Sequence, residues 1–161
     1  MCIRDRNVTV RDIVSTYIFP NTLVTLAVNR AQLKRALERS AEYFTLVADG
    51  RISVSESFLH PIVQHFNYDY ISGVNVTFDL HRPVGDRVTS ILWHGEELDD
   101  TLSLSLCMNN YRASGAGGYG VYTECGVLRE QPTEIAELII DYVLRHKDIT
   151  VDKTKWLNII Y

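Results

Sequence analysis

Hydrophobic and polar residues alternate along several stretches of this chain. Residues 74–80 place Val74, Val76, Phe78 and Leu80 on one face and Asn75, Thr77 and Asp79 on the other. A two-residue period is the signature of a strand with one buried face. Residues 22–28, 87–93 and 102–108 read the same way, the first rich in β-branched side chains. Short polar breaks, Pro83-Val84-Gly85-Asp86 and His94-Gly95-Glu96-Glu97, separate the last three strands. An antiparallel meander is therefore expected of them. Between residues 30 and 44 the period changes. Leu33, Ala36, Leu37, Ala41 and Phe44 recur every three or four positions behind Asn29, which predicts a helix with Asn29 as its N-cap. Lys34, Arg35, Glu38, Arg39 and Glu42 are assigned to its solvated face. A second helix is expected to open at Pro132 and run to 146, with Ile135, Leu138, Ile139, Tyr142 and Val143 along one side. A short helix near Thr9, an irregular connection over 45–64 and a last short strand within 149–161 complete the pattern. The fold class is α+β, with a mixed, mainly antiparallel sheet and helices packed on it.

Composition narrows what such a domain can do. The chain has 161 residues, enough for one domain with a real core. Its formal charge is −4, from 16 basic and 20 acidic residues, which argues against a nucleic acid polymer as partner. No apolar run is long enough for a transmembrane segment. Cys2, Cys107 and Cys125 have no zinc spacing; Cys107 and Cys125 read as small buried residues, with pairing open if the domain is exported. The five histidines are scattered too widely for a metal site. Residues 1–6, too charged for a secretory leader, carry no period. They are read as a remnant ahead of a domain at 7–161, and the chain as the carboxy-terminal piece of something longer.

Candidate chemistry gathers at two places. The strand at 102–108 runs into Asn109-Asn110-Tyr111-Arg112-Ala113-Ser114-Gly115-Ala116-Gly117-Gly118, where Gly115 and Gly117 allow tight turns and close approach of backbone to a ligand. This is not a phosphate-cradling Gly-Lys-Ser/Thr loop. Tyr111, an aromatic beside paired asparagines, suits stacking on a planar ligand. In Phe19-Pro20-Asn21 the proline orients Phe19, and Asn21 offers a donor and an acceptor. Tyr68 is a third aromatic in polar surroundings. Arg112 could meet a phosphate or form a salt bridge. No Ser/His/Asp set and no two-metal ligand set can be assembled, so no catalytic residue and no metal ligand is assigned. The pattern reads as a place that binds.

Val8-Thr9-Val10-Arg11-Asp12, Tyr17-Ile18-Phe19-Pro20-Asn21-Thr22-Leu23, Ser72-Gly73-Val74 and Asn109-Asn110-Tyr111-Arg112-Ala113-Ser114-Gly115 together resemble the carboxy-terminal domain of the 5′-nucleotidase family. The Asn-Asn-Tyr-Arg-Ala form, with Phe-Asn-Tyr-Asp upstream, is most similar to its 2′,3′-cyclic-nucleotide 2′-phosphodiesterase/3′-nucleotidase branch. The resemblance implies a nucleoside- or nucleotide-binding domain of a periplasmic, secreted or cell-surface hydrolase. Its partner would be an amino-terminal metallophosphoesterase domain holding two divalent metal ions, absent from this chain. It further implies that Phe19 and Tyr111 clamp the base and that Asn21 contacts the substrate; on that reading Asn21 and Asn110 are expected to set any base preference. Two departures stand out. The family's Gly-Gly-Ile-Arg arginine would fall near Ile3-Arg4, closer to Phe19 than family spacing allows. Gly117 replaces the aspartate that holds the ribose in 5′-nucleotidases, which favours the cyclic/3′ branch. The alternative is a stand-alone nucleotide-binding module with no catalytic role, or an interaction domain that binds no small ligand.

Overall fold

The computed structural model describes residues 8–161. Cys2 and Arg4 lie outside them. Thr9 caps the first helix, α1 (Val10–Thr16), in a reciprocal box with Asp12. β1 (Thr22–Asn29) then leads without a loop into α2 (Arg30–Ala41). Asn29 ends the strand and caps the helix: its side chain accepts from the Gln32 amide at 2.9 Å, and its own amide donates to Gln32 Oε1 at 3.0 Å. β2 (Phe44–Leu46) and β3 (Ile52–Val54) form a small hairpin inside the connection expected to be irregular. Then come β4 (Asn75–Asp79), β5 (Val88–Trp93), β6 (Glu96–Glu97), β7 (Ser103–Asn109), the single turn α3 (Asn110–Ala113), β8 (Gly126–Glu134), α4 (Ile135–His146) and β9 (Leu157–Ile160).

The strands divide differently from the expected meander. β4 and β5 pair antiparallel, but β7 leaves them and pairs antiparallel with β1, so the larger sheets run β7-β1-β8 and β6-β5-β4-β9. Alternation fixes which face of a strand is buried; it carries no information on the neighbour. β9 lies parallel to β4, making that sheet mixed.

Pro132 does not open α4. It lies in β8, where the register against β1 jumps from Leu23↔Gln131 to Thr22↔Glu134. A proline has no amide to give a ladder and sits where the ladder is interrupted. The helix therefore starts at Ile135, whose amide donates to the Asn21 carbonyl at 2.9 Å.

α2 lies between the two sheets and supplies both cores. Leu33, Leu37 and Ala41 join Val76, Phe78 and Ile91, whereas Ala36 joins Val24, Leu26, Val28 and Tyr119. Its charged face is not wholly solvated, contrary to the periodic reading. Glu38 is buried and accepts from the Arg87 and Val88 amides at 2.8 and 2.9 Å, with Lys34 Nζ at 2.7 Å. Arg87, also buried, donates to the carbonyls of Ala41 and Phe44 and so closes the carboxy end of α2. The cysteine expectation is half corrected: Cys125 is buried, but Cys107 is exposed on β7, and both are free thiols.

Candidate functional site

β1 and β7 run antiparallel with Leu23 opposite Asn109, so the segment before β1 and the segment after β7 emerge at one end of the sheet. Phe19-Pro20-Asn21 precedes β1, and Asn110-Tyr111 comes directly after β7. The two ends are stitched by a hydrogen bond from the Thr22 amide to Asn110 Oδ1, 3.1 Å. Phe19 is 60% exposed and Tyr111 47%. Phe19 meets Tyr17 edge-on with ring centroids 6.4 Å apart, and Asn21 Nδ2 donates to the Tyr17 hydroxyl at 3.2 Å. Asn21 is partly buried, its carbonyl committed to α4.

Arg112 organises the turn that carries Tyr111. Its amide is capped by Asn109 Oδ1 at 2.7 Å. Its guanidinium is buried, Nε pairing with Asp69 at 2.8 Å, Nη2 donating to the Phe66 carbonyl at 3.0 Å and Nη1 to the Ala116 carbonyl. It lies 4.4 Å from the Tyr119 ring centroid and 5.9 Å from that of Tyr111. Of its two open roles, the salt bridge is the one observed. Burial holds the Asp69 carboxyl above its ordinary range, although Arg112 pulls it the other way. Tyr119, fully buried, ties the same segments together: its hydroxyl contacts Ser40 Oγ at 2.9 Å, the Asn67 carbonyl at 3.2 Å and the Asp69 amide at 3.1 Å.

Gly115 and Gly117 have positive φ, +85° and +74°. The close approach they permit is to the protein's own atoms. A Cβ at Gly117 would fall on Arg112 Nη1 and Asn67 Oδ1, and one at Gly115 would press on Thr123 and Gly120. Position 117 thus has no room for an acidic side chain.

Tyr68 is separate from the strand-end pair. It packs among Tyr43, at 4.8 Å, and Phe44, at 5.3 Å, and burial pushes its phenol up to about 12. The exposed ring of Phe66-Asn67-Tyr68-Asp69 is Phe66, at 66%. Periodicity gives Phe66 no role, and its only sequence signal is a phenylalanine in a polar run. A groove of about 490 Å³ runs between residues 68–72 and residues 105–109. Tyr68 and Arg112 line it; Phe19, Asn21, Asn110 and Tyr111 do not. Among the described residues no group of three or more His, Cys, Asp or Glu could hold a metal ion. No described helix is long and apolar enough to cross a membrane.

These features define an α+β domain with two exposed aromatics at one sheet end. Residues 3–124 match the family model of the 5′-nucleotidase C-terminal domain, and the chain belongs to that family. It is similar to a 2′,3′-cyclic-nucleotide 2′-phosphodiesterase/3′-nucleotidase of Haemophilus influenzae, 28% identical over 148 residues, covering 84% of this chain and 22% of the relative. It is also similar to the trifunctional nucleotide phosphoesterase YfkN of Bacillus subtilis, 22% identical, covering 87% of this chain and 10% of the relative. A Staphylococcus aureus structure described as a 5′-nucleotidase in complex with α-ketoglutarate superposes with a TM-score of 0.87 at 40% identity, over 96% of this chain and 30% of that one. The chain therefore spans less than a quarter of the length of these two curated relatives.

Proposed function

We propose that this chain is the nucleoside-binding domain of a metal-dependent nucleotide hydrolase of the 2′,3′-cyclic-nucleotide 2′-phosphodiesterase/3′-nucleotidase or 5′-nucleotidase type. It works beside a metallophosphoesterase domain outside this chain, in a protein that is periplasmic, secreted or at the cell surface. The observation that supports the reading is the shared sheet end. The β1–β7 ladder and the Thr22–Asn110 bond fix the backbones carrying Phe19 and Tyr111 there, with both rings exposed. Exposed rings on fixed backbones lose little freedom when a base stacks on them.

The division of labour follows from the chemistry available. A two-metal centre supplies a water activated for attack on phosphorus and neutralises the charge that develops. The described residues here offer no ligand set for one. This chain's share is to hold the base by its faces and leave the phosphate free to reach the other domain. No acidic side chain at 117 reaches toward the ribose, an arrangement compatible with a 2′,3′-cyclic phosphate.

The test is calorimetric titration of the chain with adenosine and with 2′,3′-cyclic AMP. Phe19→Ala and Tyr111→Ala are each expected to weaken binding about 5- to 150-fold, the worth of one base–aromatic stack. The isolated chain is expected not to hydrolyse the cyclic nucleotide with any divalent metal. Equal affinity of wild type and both variants would refute the site, and metal-dependent turnover would refute the division of labour.

A further inference from the structure

Phe66 is among the most exposed aromatic rings of the described residues, yet the turn that carries it is held by hydrogen bonds to segments distant in sequence. It sits in a single 3-10 turn, His65–Asn67. His65 Nδ1 is 2.7 Å from the Tyr43 hydroxyl. The Phe66 carbonyl accepts from Arg112 Nη2 at 3.0 Å. Asn67 is buried, its amide group donating to Gln64 Oε1 at 2.7 Å and its carbonyl accepting from Tyr119. Asn67 Oδ1 lies where a side chain at Gly117 would need to go, so the turn is in contact with the glycine loop. An apolar ring held in water on a rigid turn gains nothing for folding, because burial is what stabilises such a ring.

Arg112 supplies the connection. One guanidinium grips the Phe66 carbonyl, lies over Tyr119 and approaches the Tyr111 ring, so the backbones bearing Phe66 and Tyr111 are fixed to one rigid group. We infer that Phe66 is a third aromatic contact of the nucleoside site, presented by the 65–67 turn on the Tyr111 side. The inference rests on the nucleoside reading above. It adds to that reading a wall from a segment that neither ring of the pair belongs to.

The experiment titrates adenosine into the 161-residue chain and into Phe66→Ala, Phe66→Leu, Phe66→Tyr and Tyr111→Ala, with thermal unfolding of each. Phe66→Ala and Phe66→Leu are expected to weaken adenosine binding about 5- to 150-fold, and Phe66→Tyr to bind within about threefold of wild type, because a planar face rather than apolar bulk makes the contact. Melting temperatures should stay close to wild type, since the ring is exposed. If Tyr111→Ala weakens binding and Phe66→Ala does not, the inference fails while the nucleoside reading stands. If Phe66→Leu binds like wild type, stacking at 66 is refuted. If the wild-type chain does not bind adenosine at all, both fall together.

Discussion

The Thr22 amide donates to the side-chain oxygen of Asn110 at 3.1 Å, joining the first residue of β1 to the first residue beyond β7. The family resemblance points to Asn110 as a residue near the base; in the fold the side-chain oxygen of its amide also accepts from the strand that comes after Phe19. Asn110→Asp keeps an acceptor there, and Asn110→Ala does not. Asn110→Asp should bind adenosine like wild type. Asn110→Ala should lose roughly 0.5–1.5 kcal/mol of stability, the usual worth of one hydrogen bond, together with some affinity. Loss of binding in Asn110→Asp would instead mark the amide nitrogen as a ligand contact.

Arg112 is a buried cation whose removal strands Asp69. Arg112→Met should cost about 3–5 kcal/mol in urea unfolding, the range for breaking one half of a buried pair. The deficit should depend on pH in a fixed direction. Burial already places the folded-state pKa of Asp69 above its unfolded value, and losing Arg112 removes an opposing influence. The folded state then binds the extra proton between those two values. Stability of the variant should therefore rise as pH falls through the folded pKa, and be lost again as pH rises. A deficit unchanged between neutral and acid pH would show that Asp69 is not the stranded group.

Gly117→Ala should be harmed twice, by its φ of +74° and by collision with Arg112 and Asn67. Gly50 separates the two effects, because it has φ +80° with nothing within 4 Å of a built Cβ. Gly50→Ala should cost roughly 1–2 kcal/mol, the strain of a left-handed alanine. Gly117→Ala should cost clearly more by thermal unfolding; equal costs would mean the 65–67 turn yields freely.

Burial raises the Tyr68 phenol from an ordinary value near 10 to about 12, and raises Tyr119 and Tyr122 as well. A phenol whose folded pKa is raised stabilises the fold below pH ~10 and ceases to as pH climbs through the folded value. Stability should therefore fall between about pH 10 and 12, and ultraviolet titration should show a late class of tyrosines. Tyr68→Phe should reduce that late class and soften the fall; an unchanged titration curve would contradict the packing of Tyr68 against Tyr43.

What could be read from residues alone was whatever repeats or caps locally. The faces of β4 and β7 and the N-cap at Asn29 are written in spacing and side-chain chemistry. β8 was missed because Gly126-Val-Leu-Arg-Glu-Gln-Pro-Thr-Glu134 has no alternation; it is held by backbone pairing to β1. β2 and β3, three residues each, are too short for a period to show. At the site, Phe19, Asn21 and Tyr111 could be named from motif, but their common sheet end depends on β7 leaving β5 for β1. For Arg112 and Phe66 the local sequence offers a charge and an aromatic ring but not their partners, because Arg112 pairs with Asp69 and with the Phe66 carbonyl, segments distant in sequence.

The parallel pairing of β9 with β4 has a consequence for how this domain is made. During synthesis the β4 edge that β9 will cover is exposed for as long as it takes the ribosome to add some eighty more residues, about 4–16 s at usual rates. Val76 and Phe78, buried in the finished sheet, lie beside that open edge throughout. The nascent chain therefore depends on α2 and the β5 hairpin, both already made or soon to emerge, to shield a half-built core until its last strand arrives.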